Sequence, residues 1–148
     1  MSLNRPIVLT GFMGAGKSSL GAAASERYGV PFYDNDAQIV ATAGRSIPDI
    51  FSIHGEDYFR QLEAGAFNQL VHPDVEKKGI IATGGGIISQ EVGRNALRQA
   101  DATIVWLFVD FETAAKRVGD DPNRPLFRDR SKALGHFEER QRHYRKTA

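Results

Sequence analysis

An α/β fold with a central parallel sheet flanked by helices is predicted by three features of this sequence of 148 residues. Four short runs are apolar or β-branched almost without interruption, the pattern of strands covered on both faces. The segments between them carry apolar residues at helical intervals, and strands alternating with helices assemble into parallel sheets through right-handed crossovers. The first run leads straight into a glycine-rich turn, "GFMGAGKSSL".

Along the chain, the first strand is "PIVLT" (6–10), and the helix after the turn runs from Ser18 to Tyr28, Ala-rich and closed by Gly29. "PFYD" (31–34) is the second strand, with a helix beginning near Ala37. "GEDYFRQLEAGAFNQLV" sets Phe59, Leu62, Phe67 and Leu70 at roughly helical spacing, so a helix is expected there. "GIIAT" (79–83) and "ATIVWLFV" (102–109) are the third and fourth strands. "GDDPNRPLFRDRS" (119–131), with two prolines and dense charge, predicts a long surface loop, a type of segment that is commonly functional in compact domains.

The length fits one domain, 1–148, with a single core. No apolar run approaches the ~18–20 residues that cross a bilayer, and no secretory signal is read at the N-terminus. The chain has no cysteine, so a disulfide framework is excluded and a cytoplasmic location is expected. Net charge is +1, but residues 111–148 hold ten Lys/Arg against six Asp/Glu, whereas residues 1–110 hold nine against twelve. Neither a strongly basic domain nor a basic stripe with interleaved aromatics is present, which argues against nucleic acid as a partner.

Gly11, Gly16, Lys17 and Ser18 satisfy G-x-x-x-x-G-K-[ST] between a strand and a helix, the context a phosphate-binding loop requires. The backbone N–H groups of Gly14, Ala15, Gly16 and the following Ser19 can converge on phosphate oxygens. Lys17 can reach the β and γ phosphates, and Ser18 can ligate Mg²⁺. The dinucleotide fingerprint G-x-G-x-x-G fails, since position 13 is Met and the register from Gly14 ends on Ser19. A GTPase is disfavoured because no Asn-Lys-x-Asp motif occurs.

Asp34 and Asp36 follow the second strand two residues apart, a spacing that on extended backbone turns both carboxylates to one side. A calcium loop is excluded, because Gln38, Ile39 and Arg45 stand where it needs an acid or amide, a glycine and a glutamate. Capping of the helix near Ala37 by Asp36 is the structural alternative. Phosphoryl transfer to an alcohol needs a carboxylate that orients the hydroxyl or takes its proton.

Read together, "GFMGAGKSSLG", "YDND", "SIPDIFSIHGEDYFRQLE", "IIATGGGII", "NRPLF" and "ERQRHYRKTA" resemble the shikimate kinase family over nearly the whole chain, about Ile7 to Ala148. The resemblance implies a three-layer P-loop kinase fold and transfer of the γ-phosphoryl of ATP to the 3-hydroxyl of shikimate, in chorismate and aromatic amino acid biosynthesis. By the family's pattern Asp34 is the Mg²⁺-linked carboxylate, beside Ser18, and Asp36 contacts the acceptor hydroxyls. Arg60 and Arg140 grip the substrate carboxylate, Gly84, Gly85 and Gly86 approach the substrate, and Arg124 closes over ATP from a lid near 119–131. A planar guanidinium pairs bidentately with a carboxylate as lysine cannot, although Arg60 also has Glu56 and Glu63 within reach along its own helix. Lys17, Asp36 and Arg124 are the expected catalytic residues.

Arg117 is read as an ordinary solvated arginine, and the four histidines as structural or surface residues without metal-ligand spacing. The family continues into a fifth strand and a final helix, so a C-terminal strand is expected to be missing from a sequence ending at Ala148. A monomer is expected. Two alternatives stand beside this reading: a kinase for another polyol acid such as gluconate, and a nucleotide-binding regulator without catalysis.

Overall fold

The structure, a computed structural model, describes residues 2–118 and 129–148. Four strands, β1 (Ile7–Thr10), β2 (Phe32–Asp34), β3 (Ile80–Ala82) and β4 (Thr103–Trp106), form one sheet in the order β2-β3-β1-β4, every neighbouring pair parallel. The helices are α1 (Lys17–Tyr28), α2 (Asn35–Ala43), α3 (Ile47–His54), α4 (Glu56–Leu70), α5 (Glu91–Gln99), α6 (Phe111–Val118) and α7 (Arg130–Thr147). A short 3-10 turn spans Ile87–Ser89. Among the described residues, no helix is long and apolar enough to cross a membrane.

Side chains alternate across a strand, and the two faces of this sheet meet different helices. Ile7, Leu9, Phe32 and Ile80 pack with Ala24 of α1. Val8, Ile81, Tyr33, Ile104 and Trp106 face the other way, onto Ala64 and Phe67 of α4, Ala96 and Leu97 of α5, and Tyr144 of α7. The result is three layers. A third cluster, Ile39, Ile50, Phe59 and Ala66, ties α2, α3 and α4 together beyond the sheet.

Local chemistry explains the helix boundaries. Gly29 ends α1 at φ 66°, its N–H donating to the Ser25 carbonyl. Ser46 caps α3 by accepting from the Asp49 N–H, and proline stands in the first turn, where its missing donor costs nothing. Asp110 caps α6, accepting from both the N–H and the hydroxyl of Thr113.

Two expectations are corrected. The fourth strand covers Thr103–Trp106 rather than 102–109, and it is not buried on both faces: Thr103 is exposed and Val105 is 39% exposed. It pairs with β1 alone among the described residues, so an apolar run that reads as covered on both faces lies at the edge of the described sheet. The loop expected over 119–131 ends earlier, because Asp129 caps α7 by accepting from the Lys132 N–H and the helix begins at Arg130. The rest of that loop, 119–128, with Arg124 and the "NRPLF" motif, lies outside the described residues.

Candidate active site

The ends of β1, β2 and β3 open on one side of the sheet, and the sequence places a chemically distinct segment after each. After β1 comes the phosphate loop. Gly14, at φ +83°, lies so close to α6 that a Cβ there would come within 2.9 Å of the Ala114 carbonyl, so both its conformation and its space demand glycine. Gly16 leads into α1, whose first residue, Lys17, is buried and sends its Nζ back to the Gly11 and Phe12 carbonyls at 2.6 and 3.1 Å. Backbone N–H groups at a helix start and an ammonium held among them make an anion site.

After β2, Asp34 and Asp36 both line the cleft, but not as two residues of an extended strand. Helix α2 starts at Asn35, two residues before the expected Ala37, and the capping residue is Asp34, whose Oδ1 accepts from the Ala37 N–H. Its other oxygen, Oδ2, accepts from the Ser18 hydroxyl at 3.1 Å. Asp36 therefore points into the cleft from the first helical turn. Ser18 and Asp34 form a pair of hard oxygen donors of the kind that suits Mg²⁺. Gly14, Gly16, Lys17, Ser18, Ser19, Asp34, Asp36, Thr83 and Arg117 enclose a polar cleft of about 350 Å³.

After β3, "TGGG" turns against the same cleft. A Cβ on Gly84 would stand 2.8 Å from both Asp36 Oδ1 and Glu63 Oε2, one on Gly85 would stand 2.9 Å from the Met13 N, and one on Gly86 would overlap the Arg60 guanidinium. Three consecutive glycines are needed because three groups crowd the turn at once. The Tyr144 hydroxyl stands within hydrogen-bond reach of two carbonyl acceptors, that of Gly85 and that of Gly11, the latter at 2.9 Å.

Two buried arginines flank this turn. Arg60, 4% exposed, pairs with Glu63 at 2.9 Å and with Glu56 at 3.4 Å, and its guanidinium lies over the rings of Phe59 and Phe51. The two readings of Arg60 are thus not exclusive: it does pair along its helix, yet inside the protein rather than at its surface. Arg140, 2% exposed, lies over the ring of Phe12, and its Nε and Nη1 have no hydrogen-bond partner among the described residues. Burial pulls its pKa below the usual guanidinium range, with the Arg60 charge adding to that effect against Tyr144 and Glu63.

Sequence reasoning missed three members of this group. Arg117 is not merely solvated: its Nη1 donates to the Gly14 carbonyl at 2.8 Å and it lines the cleft. Glu63, 1% exposed, is pushed up to about 7, chiefly by burial, with Asp36 raising it further and Arg60 opposing. The clue was its place on the apolar stripe of α4, one turn from both Phe59 and Phe67. Asn35 is fully buried and donates to the Glu63 carbonyl at 3.1 Å, fixing α2 to α4 beside the cleft. No histidine lines the cleft. His54 stacks on Tyr58 and His72 faces Asp74, and no cluster of metal-binding side chains with three or more His, Cys, Asp or Glu occurs among the described residues.

Comparison with known proteins gives a consistent picture. A family model described as shikimate kinase matches residues 13–148. A shikimate kinase of Staphylococcus aureus is 41% identical over 120 residues, 81% of this chain, and the match spans 66% of that relative's length. Among solved structures, a shikimate kinase from Acinetobacter baumannii in complex with shikimate is 35% identical with a TM-score of 0.88, covering 97% of this chain and 80% of the other. A shikimate kinase from Aquifex aeolicus is 37% identical with a TM-score of 0.79, covering 95% and 82%.

Proposed function

Because the chain belongs to the shikimate kinase family, we propose that it transfers the γ-phosphoryl group of ATP to the 3-hydroxyl of shikimate, giving shikimate 3-phosphate and ADP. The observation that carries this reading is Arg140. A guanidinium sealed from solvent with two nitrogens unmatched among the described residues is costly unless an anion completes it, and a carboxylate fits its planar fork. The Arg60 charge acts on Arg140, Arg60 abuts Gly86 of the glycine turn and Arg140 lies over Phe12 of the phosphate loop, so an acid held by both guanidinium groups would lie beside the donor phosphates.

In this reading ATP binds the loop 14–19 by its phosphates, with Lys17 leaving the Gly11 and Phe12 carbonyls for the β and γ oxygens. Mg²⁺ would be held by Ser18 and Asp34, where it supplies neutralisation of phosphate charge. Shikimate is gripped at its carboxylate by Arg60 and Arg140, with the glycines at 84–86 along its flank. Asp36 orients the acceptor hydroxyl and takes its proton as the bond to phosphorus forms, and Arg117 steadies the loop at Gly14. Arg124 is assigned to closure over ATP on the family's pattern alone. The enzyme is taken to act as a cytoplasmic monomer serving aromatic amino acid synthesis.

A coupled assay of ADP release tests the reading, with ATP and Mg²⁺ and with shikimate, gluconate or no acceptor. Release that needs shikimate is expected. Release with gluconate alone would replace the acceptor, and nucleotide binding without turnover on either acid would remove the catalytic claim.

A further inference from the structure

The hydroxyl of Tyr144 stands between the phosphate loop and the glycine turn, within hydrogen-bond reach of a carbonyl of each. It touches the Gly11 carbonyl at 2.9 Å and the Gly85 carbonyl, inside a fully buried environment where the ring stacks on Trp106. A phenol has one proton to give. Here it faces two carbonyl acceptors.

The Gly11 carbonyl has a second donor, Lys17 Nζ at 2.6 Å. We propose that Tyr144 is a positioning residue that couples the two ligand loops, its hydroxyl proton serving Gly85 while Lys17 serves Gly11 and turning to Gly11 when Lys17 moves onto a phosphate. The proposal rests on the functional reading above for the destination of Lys17.

Once Lys17 leaves, one phenol proton is left for two buried carbonyls, and leaving either without a partner costs roughly 1–3 kcal/mol, so the two turns compete for it and their states become linked. Among the described residues, Tyr144 is then the donor remaining at the Gly11 carbonyl. The O–H group rotates about its C–O bond, so no bond breaks and no proton leaves the ring. Burial drives the phenol pKa upward and keeps the proton in place. The Gly85 carbonyl then loses its donor, and the turn that packs Gly84 against Asp36 and Glu63 and Gly86 against Arg60 is free to take a hydrogen bond from an acceptor hydroxyl. Arg140 lies four residues before Tyr144 on α7, on the same helical face, so the residue that senses the phosphate loop is fixed to the one that receives the acid.

Amide hydrogen exchange with ADP and Mg²⁺ as the probe tests the coupling without any acceptor. In the wild-type chain, nucleotide should protect residues 11–18 and also change exchange across 83–88 by about fivefold or more, the low end of ordinary coupling between sites. In Tyr144→Phe, which keeps the ring and removes the donor, protection of 11–18 should remain while the response at 83–88 falls to within about twofold. Equal responses at 83–88 in both proteins would overturn the proposal. So would a wild-type chain in which 11–18 is protected and 83–88 is unmoved, a result that needs no variant. A coupled response of this kind in a protein that fails to phosphorylate shikimate supports the coupling and overturns the functional reading, so the two failures are distinct.

Discussion

Glu63 and Arg60 stand one turn apart on α4, with Oε1 and Nη1 separated by 2.9 Å and both side chains sealed from solvent. Burial nevertheless wins over the pairing, because the carboxyl also faces Asp36, and Glu63 rises from 4.5 to about 7. A carboxyl whose folded pKa lies above its unfolded value binds more protons in the native state. Its contribution to stability is fully present below pH 4.5 and lost as pH rises through about 7, a difference on the order of 3 kcal/mol. Melting temperatures of the wild type and Glu63→Gln should therefore diverge from pH 5 to pH 8 in favour of the variant, by roughly 5–10 °C at the upper end. Parallel curves across that range would show that Glu63 does not titrate there.

Glycines 84 and 86 should separate catalysis from binding. A methyl on Gly84 meets the Asp36 and Glu63 carboxylates at 2.8 Å, so Gly84→Ala displaces the group assigned to the acceptor hydroxyl. A misplacement near 1 Å costs about 10²-fold in rate, and kcat should fall by that order with KM for shikimate changed little. Gly86→Ala instead pushes the end of Arg60, a long side chain that can swing, and should chiefly raise KM for shikimate. Steady-state kinetics on both variants decide the matter, and the same pattern in both would refute the assignment of separate roles.

The phosphate loop, three of the strands and the first helix were legible because each is set by local chemistry: a glycine at a positive φ, an apolar run, a stop at Gly29. Asp36 does line the cleft, but the expected extended backbone is replaced by a helix that begins at Asn35, so its carboxylate reaches the cleft from a helical turn rather than a strand. Whether a strand lies at a sheet's centre or edge depends on its neighbours, and nothing in "ATIVWLFV" states them, so the exposure of Val105 was not legible. Glu63 and Tyr144 were hidden for a related reason. Their partners lie on other elements: Gly84 follows β3 and Gly11 follows β1, and only the fold brings them within reach.

Substitution separates the contact Lys17 makes from the role proposed for it. Its ammonium satisfies the Gly11 and Phe12 carbonyls, so Lys17→Met should lose about 1–2 kcal/mol of stability and leave a folded protein. The role proposed for it toward the β and γ phosphates is larger, because a positioned cation acts where charge develops, and turnover should drop by about 10²-fold or more. A thermal melt beside the coupled assay checks both. Wild-type turnover in a folded Lys17→Met protein would defeat the phosphate-loop assignment.

Arg140 offers a test in which stability and binding move in opposite directions. Its charge is held inside the protein over the ring of Phe12, with Nε and Nη1 unpartnered among the described residues, and burial depresses its pKa. Replacing a buried charge whose desolvation outweighs its nearby carboxylates by an apolar chain of similar length relieves that cost. Arg140→Met should therefore melt at or above the wild-type temperature. The same change removes the donors that the acid's carboxylate would use, and losing a buried charge partner costs a ligand about 2–5 kcal/mol, a weakening of roughly 30-fold or more by calorimetric titration of shikimate. ADP affinity should stay near the wild-type value, since Arg140 does not line the cleft of the phosphate loop. An Arg140→Met protein that melts several degrees lower and binds shikimate unchanged would make this arginine a structural cation, and would take from the functional reading the observation on which it rests.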